Sequence, residues 1–67
     1  MAKRMNLTAA RNNANLSRSQ VCEALGIGEN TIANYELYKT KPTIERAIQL
    51  ANLYGCELDD IKWSEEE

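Results

Sequence analysis

Residues 21–36 read VCEALGIGENTIANYE, two short helical patterns joined across Gly26-Ile27-Gly28. Apolar side chains fall at Val21, Cys22 and Leu25 before the glycines, and at Ile32 and Tyr35 after them. Offsets of three and four residues set such side chains along one face of a helix. Gly26 permits the positive φ that a sharp turn between two helices requires. Cys22 is small enough for a second helix to approach it closely. With Ile32, Tyr35 and Glu36 turned inward, positions 29, 30, 33, 34 and 37 share the opposite face of the second helix.

Working outward, the whole chain reads as helical, and no stretch alternates for long enough to make a strand. Leu7, Ala10, Arg11 and Ala14 line one face of a first helix with Asn6 as N-cap, and Asn15 suits the left-handed turn that ends it. Ser17 caps a helix over about 18–25, closed by Gly26. Gly28 opens the next, over about 29–37, with Glu29 at the favourable end of its dipole. The segment YKTKPT forms a basic loop holding the only proline. Thr43 then caps a fourth helix over about 44–54, with Ile44, Ala47, Ile48, Ala51 and Tyr54 repeating along it, Leu50 and Leu53 beside them, and Gly55 ending it. ELDDIKW predicts one more short helix, with Leu58 and Ile61 pointing inward. The fold class expected is all-α: a compact bundle of about five short helices containing a helix-turn-helix, a single domain over 1–67. Its ordered core spans 5–63, and the acidic tail 64–67 is expected to be disordered.

Composition narrows the function. The 67 residues hold no histidine and two cysteines. A structural zinc site needs about four Cys or His ligands, so no metal is expected. Cys22 and Cys56 are read as reduced, small apolar residues, a single disulfide being the alternative; nothing upstream resembles a signal peptide, which points to the cytoplasm. No apolar run approaches a membrane span. Without histidine, a phosphate loop or a cysteine beside a base, an enzyme is not expected, and neither is a cofactor. The net charge of −2 argues against a nucleic-acid binder, but its distribution argues for one. Residues 1–46 carry seven bases against four acids, whereas 47–67 carry Lys62 against six acids. One face suits a polyanion and the other turns away from it.

LSRSQVCEALGIGENTIANYE (16–36) and KTKPTIERAIQLANLYGCELDDI (39–61) together resemble the lambda-repressor-like (Cro-type, xenobiotic-response-element) helix-turn-helix DNA-binding domains. The likeness runs from about Met5 to Ile61. It implies a five-helix fold in which the third helix enters the major groove while the second crosses the phosphate backbone. It also implies a structural ion pair between Arg11 in the first helix and Glu36 ending the third. Arg11 sits on an apolar face, where an unpartnered charge is costly; a phosphate contact is its alternative role.

On this reading Glu29, Asn30, Ala33 and Asn34 contact bases. Asn30 and Asn34 suit adenine, Glu29 can accept from cytosine N4, and Ala33 can meet a thymine methyl. Glu29 equally suits the helix dipole, or rejection of wrong sites by repelling phosphate. Ser17 and Arg18, at a helix N-terminus, and Lys39, Thr40 and Lys41 in the basic loop are the expected phosphate contacts. Lys3 and Arg4 form a candidate arm, and Arg46 a weaker candidate that pairs across its own helix instead.

Two departures from the family pattern stand out. Leu37-Tyr38 replaces the usual Asn-Gly after the third helix, which marks either a different loop or a strained Tyr38, and offers Leu37 and Tyr38 as a partner surface. Gly28 stands where a serine or threonine usually caps the recognition helix. The expected function is a sequence-specific transcriptional regulator, a phage- or prophage-type repressor binding a double-stranded operator as a homodimer. The alternative is a protein-interaction module on the same fold, an antitoxin or antirepressor, whose partner would dock on Leu37 and Tyr38 or the acidic C-terminal half.

Overall fold

The computed structural model describes residues 4–65, so Lys3, Glu66 and Glu67 lie outside the described residues. Ser64 and Glu65, the described part of the expected tail, form a bend and turn after Trp63. Four α-helices follow one another: α1 Leu7–Asn13, α2 Arg18–Leu25, α3 Glu29–Glu36 and α4 Ile44–Tyr54. The fifth element is a single 3-10 turn, Leu58–Asp60, where a short helix was expected. No described helix is long and apolar enough to cross a membrane.

Local chemistry sets each boundary. Asn6, Ser17 and Thr43 hold extended backbone and accept, through their side chains, from the amides of Ala9, Gln20 and Arg46. Each cap of this kind contributes about 1 kcal/mol. Ser17 adds a full capping box, its own N–H donating to Gln20 Oε1 at 2.8 Å. Gly26 ends α2 at φ +69°. A Cβ there would meet no atom within 4 Å, so glycine is needed for its backbone freedom and not for space.

The core gathers one side of every helix: Leu7 and Ala10 from α1, Val21 and Cys22 from α2, Ile32 from α3, and Leu50, Ala51 and Tyr54 from α4, closed by Ile61. Full burial of a side chain such as Ile32 contributes about 1.5–3 kcal/mol. Helix α3 packs on α2 and α1, and α4 packs on α1 and the 3-10 turn. Both cysteines are free thiols. Burial pushes the Cys22 thiol up from its ordinary pKa, and the charges of Glu29 and Glu36 add to this. The segment before α1 meets the segment around the 3-10 turn as well: Met5 N–H donates to Asp60 O at 2.9 Å and Lys62 N–H to Met5 O at 2.6 Å.

Leu58, expected to point inward, does not, and two residues of the apolar repeat along α4, Ile44 and Ile48, face solvent as well. Ile44 is 78% exposed, Ile48 42% and Leu58 39%. Leu50, with Ala51 and Tyr54, provides the buried edge of α4, so the helix is rotated toward Leu50 and away from Ile44 and Ile48. An apolar cavity of about 380 Å³ opens between Ile44, Ala47 and Pro42 on one side and Leu58 and Trp63 on the other.

Candidate nucleic-acid interface

The C-terminal end of α3 is locked by a buried carboxylate. Glu36 is 8% exposed, and its two oxygens take three donors from two other helices. Arg11 Nε donates to Oε2 at 2.6 Å, Arg18 Nε to Oε1 at 3.0 Å, and Thr8 Oγ1 to Oε1 at 3.3 Å. Arg11 Nη1 also donates to Leu16 O at 2.9 Å, tying in the α1–α2 connection. Dehydrating a carboxylate costs several kcal/mol, which this much charge-assisted hydrogen bonding offsets. The knot fixes α1, α2 and α3 to one another, and so fixes how α3 presents its outer face.

That face carries the expected base-contacting residues. Glu29 and Asn30 are exposed, and Ala33 and Asn34 are half-buried one turn further on. Ser19 Oγ on α2 donates to Glu29 Oε2 at 3.3 Å, which holds the carboxylate over the turn. Gly28 starts α3 in extended backbone with no side-chain cap.

The expected backbone-contacting residues lie in two groups. Ser17 is exposed, and its hydroxyl oxygen accepts from Gln20, which leaves the hydroxyl proton for an outside acceptor. The Arg18 side chain is 43% exposed while its Nε rests on Glu36, so the guanidinium is tethered yet reaches solvent. Lys39, Thr40 and Lys41 are exposed in the loop after α3.

That loop begins in a way the sequence only half announces. Lys39 N–H donates to Asn34 O at 2.9 Å and Tyr38 N–H to Tyr35 O at 3.1 Å, the paired bonds of a Schellman turn. Tyr38 occupies its left-handed position at φ +60°, where glycine is usual. A non-glycine residue in this conformation costs about 1–2 kcal/mol. Tyr38 is half-buried, not an exposed partner of Leu37: its hydroxyl donates to Lys62 O at 2.9 Å and accepts from Leu7 N–H at 3.4 Å. Leu37 alone of the pair is exposed, at 55%. The expected Leu37-Tyr38 partner surface is therefore corrected, because the phenol turns inward to reach polar backbone groups. Arg46 differs too. Its Nη1 donates to Leu25 O at 3.5 Å, across to the end of α2 and not along its own helix.

Sequence reasoning missed Thr8, Arg18 as a second partner of Glu36, and Ser19. All three bonds join residues ten or more positions apart, and no local pattern announces them.

The search of curated proteins and the search of solved structures found no match. A family model described as helix-turn-helix (HTH_3) matches residues 7–61, from the first residue of α1 to the core residue Ile61. Two helices hinged on a left-handed glycine, a locked third helix with a polar outer face and this match agree: the chain belongs to the HTH_3 helix-turn-helix family of lambda-repressor-like, DNA-binding transcription regulators of the xenobiotic-response-element type.

Proposed function

We propose that the protein is a phage- or prophage-type repressor that binds a short operator in the cytoplasm as a homodimer, with no catalytic activity and no cofactor. The observation that carries this reading is the outer face of α3. Glu29, Asn30, Ala33 and Asn34 lie together on a helix whose far end is fixed by Glu36. A helix held in this way presents donors and acceptors to the major groove without first having to be ordered. Ser17, Arg18, Lys39, Thr40 and Lys41 flank it at the ends of neighbouring elements, where contacts to phosphate set register.

The apolar cavity beside α4 supports the dimeric form. Ile44, Leu58 and Trp63 line it, with Lys41 and Asp59 among its polar members. A two-fold contact brings the same surface from each copy together, so a patch carrying both signs of charge is self-complementary. The occupant proposed is a second copy. What favours the other reading, an antitoxin or antirepressor whose target is a protein, is the overall acidity of the chain, net −2.

Passing the protein over a randomised duplex library and sequencing the retained DNA tests the choice. Enrichment of a two-fold symmetric site, with half-sites about 10 bp apart or a multiple of that, supports the dimeric repressor. A single asymmetric half-site removes the dimer, and no enrichment at all removes sequence-specific DNA binding in favour of the protein-interaction reading.

A further inference from the structure

We propose that Tyr38 is a positioning residue for DNA backbone binding, its hydroxyl clamping the basic loop against both ends of the domain. This rests on the phosphate-contacting reading of Lys39, Thr40 and Lys41 above.

Tyr38 holds three chain segments at one oxygen. The phenol donates to Lys62 O, 24 residues on, and accepts from Leu7 N–H, 31 residues back. Leu7 opens α1, and its amide has no partner inside its own helix. Lys62 is in turn bonded through its N–H to Met5 O, so the phenol closes a junction between the segment leading into α1 and the segment leaving the 3-10 turn.

The basic loop starts at the Tyr38 backbone and comes back to the cavity that the Tyr38 side chain lines. It leaves Tyr38 through Lys39, whose N–H is bonded to the carbonyl of Asn34 on the base-reading face. It returns at Lys41, which lines with Tyr38, Trp63, Ser64 and Glu65 a cavity of about 180 Å³. Glycine would serve the Schellman turn better on backbone grounds alone. What glycine lacks is a side chain that reaches Leu7 and Lys62. The strained tyrosine therefore gives the loop a fixed height relative to α3, which a flexible turn would not. Cationic side chains held in register meet phosphates without first losing loop entropy.

The test compares the intact protein with Tyr38→Phe and Tyr38→Gly, binding a mixed-sequence duplex across a salt series. Phe keeps the ring and the strain and loses only the hydroxyl; Gly relieves the strain and keeps the turn. Circular dichroism confirms that each variant is folded at the working temperature. Both variants are expected to bind roughly tenfold more weakly at about 0.1 M salt and to show a salt slope shallower by about 1, the effect of one lost phosphate contact. Wild-type affinity and slope in both variants would overturn the clamp. Loss in the Gly variant alone would also overturn it, since the ring and not the hydroxyl would then position the loop. If the unmodified protein shows no salt-dependent binding, the backbone-contact reading falls first and the positioning role with it.

Discussion

Helix α3 carries a glutamate at each end, and the two have opposite fates. Glu29 in the first turn is exposed and takes one bond, from Ser19 Oγ at 3.3 Å. Glu36 in the last turn is buried and takes three, from Arg11, Arg18 and Thr8. Burial separates them, because a carboxylate that faces water keeps its hydration while one that leaves water must be bonded by protein. One end of α3 is thus an anchor and the other a reading surface, within eight residues of the same helix.

The sharpest way to break this contrast is Glu36→Ala. It leaves Arg11, whose side chain is 12% exposed, as a buried charge without its carboxylate. The expected loss of stability is about 3–5 kcal/mol, the range for removing one partner of a buried pair. Urea denaturation measures it. A loss below about 1 kcal/mol, the value typical of exposed pairs, would show that the knot anchors nothing.

The anchor is next tested through Tyr54, which lies in the core that the knot borders. Burial, and secondly the charge of Glu36, push its phenol up to about 12 from an ordinary 10. The folded state then holds this proton more tightly than the unfolded chain. Its contribution to stability is complete below pH 10 and is lost as pH rises through about 12. Between those limits the protein is expected to lose about 2 kcal/mol more than Tyr54→Phe does, measured as unfolding free energy against pH. Parallel curves for the two proteins would mean that the phenol is hydrated.

At the reading end, Asn34→Ala is expected to lose about 1–3 kcal/mol of discrimination between a selected site and mixed-sequence DNA. Non-specific affinity should hardly change, since no phosphate contact is removed. Competition binding with both DNAs separates the two effects. Equal loss on both would move Asn34 out of the base-reading set.

How far such contrasts were legible in the sequence depends on their range. Asn6, Ser17, Gly26, Thr43 and Gly55 act within a few residues of themselves, so the helix boundaries were readable from them. Choosing the buried face of α4 was harder. Ile44 and Ile48 compete with Leu50 and Leu53 for the inward side beside Ala51 and Tyr54, and apolar periodicity alone fits both choices. Pairing of Arg11 with Glu36 was expected from the family resemblance. Arg18 and Thr8 were not, because only the assembled α1–α2–α3 packing brings them to the same two oxygens. Tyr38 shows the same limit: its left-handed backbone was foreseeable, but the Lys62 carbonyl that holds its hydroxyl was not.

The smallest expected effect belongs to Glu29→Gln. Its charge sits in the first turn of a helix with no side-chain cap, where an anion offsets the exposed amides. Neutralising it should cost about 0.3–1 kcal/mol at low salt and less at high salt, because the interaction is exposed and screened. The glutamine still accepts from Ser19 Oγ, so only the charge is tested and not the bond. Denaturation at two salt concentrations reads the difference. A salt-independent loss above about 2 kcal/mol would erase the distinction between the two ends of α3, since Glu29 would then be an anchor too. A small, screened loss accompanied by a changed preference at one base pair would mark Glu29 as a reader, whose charge acts on DNA more than on the fold.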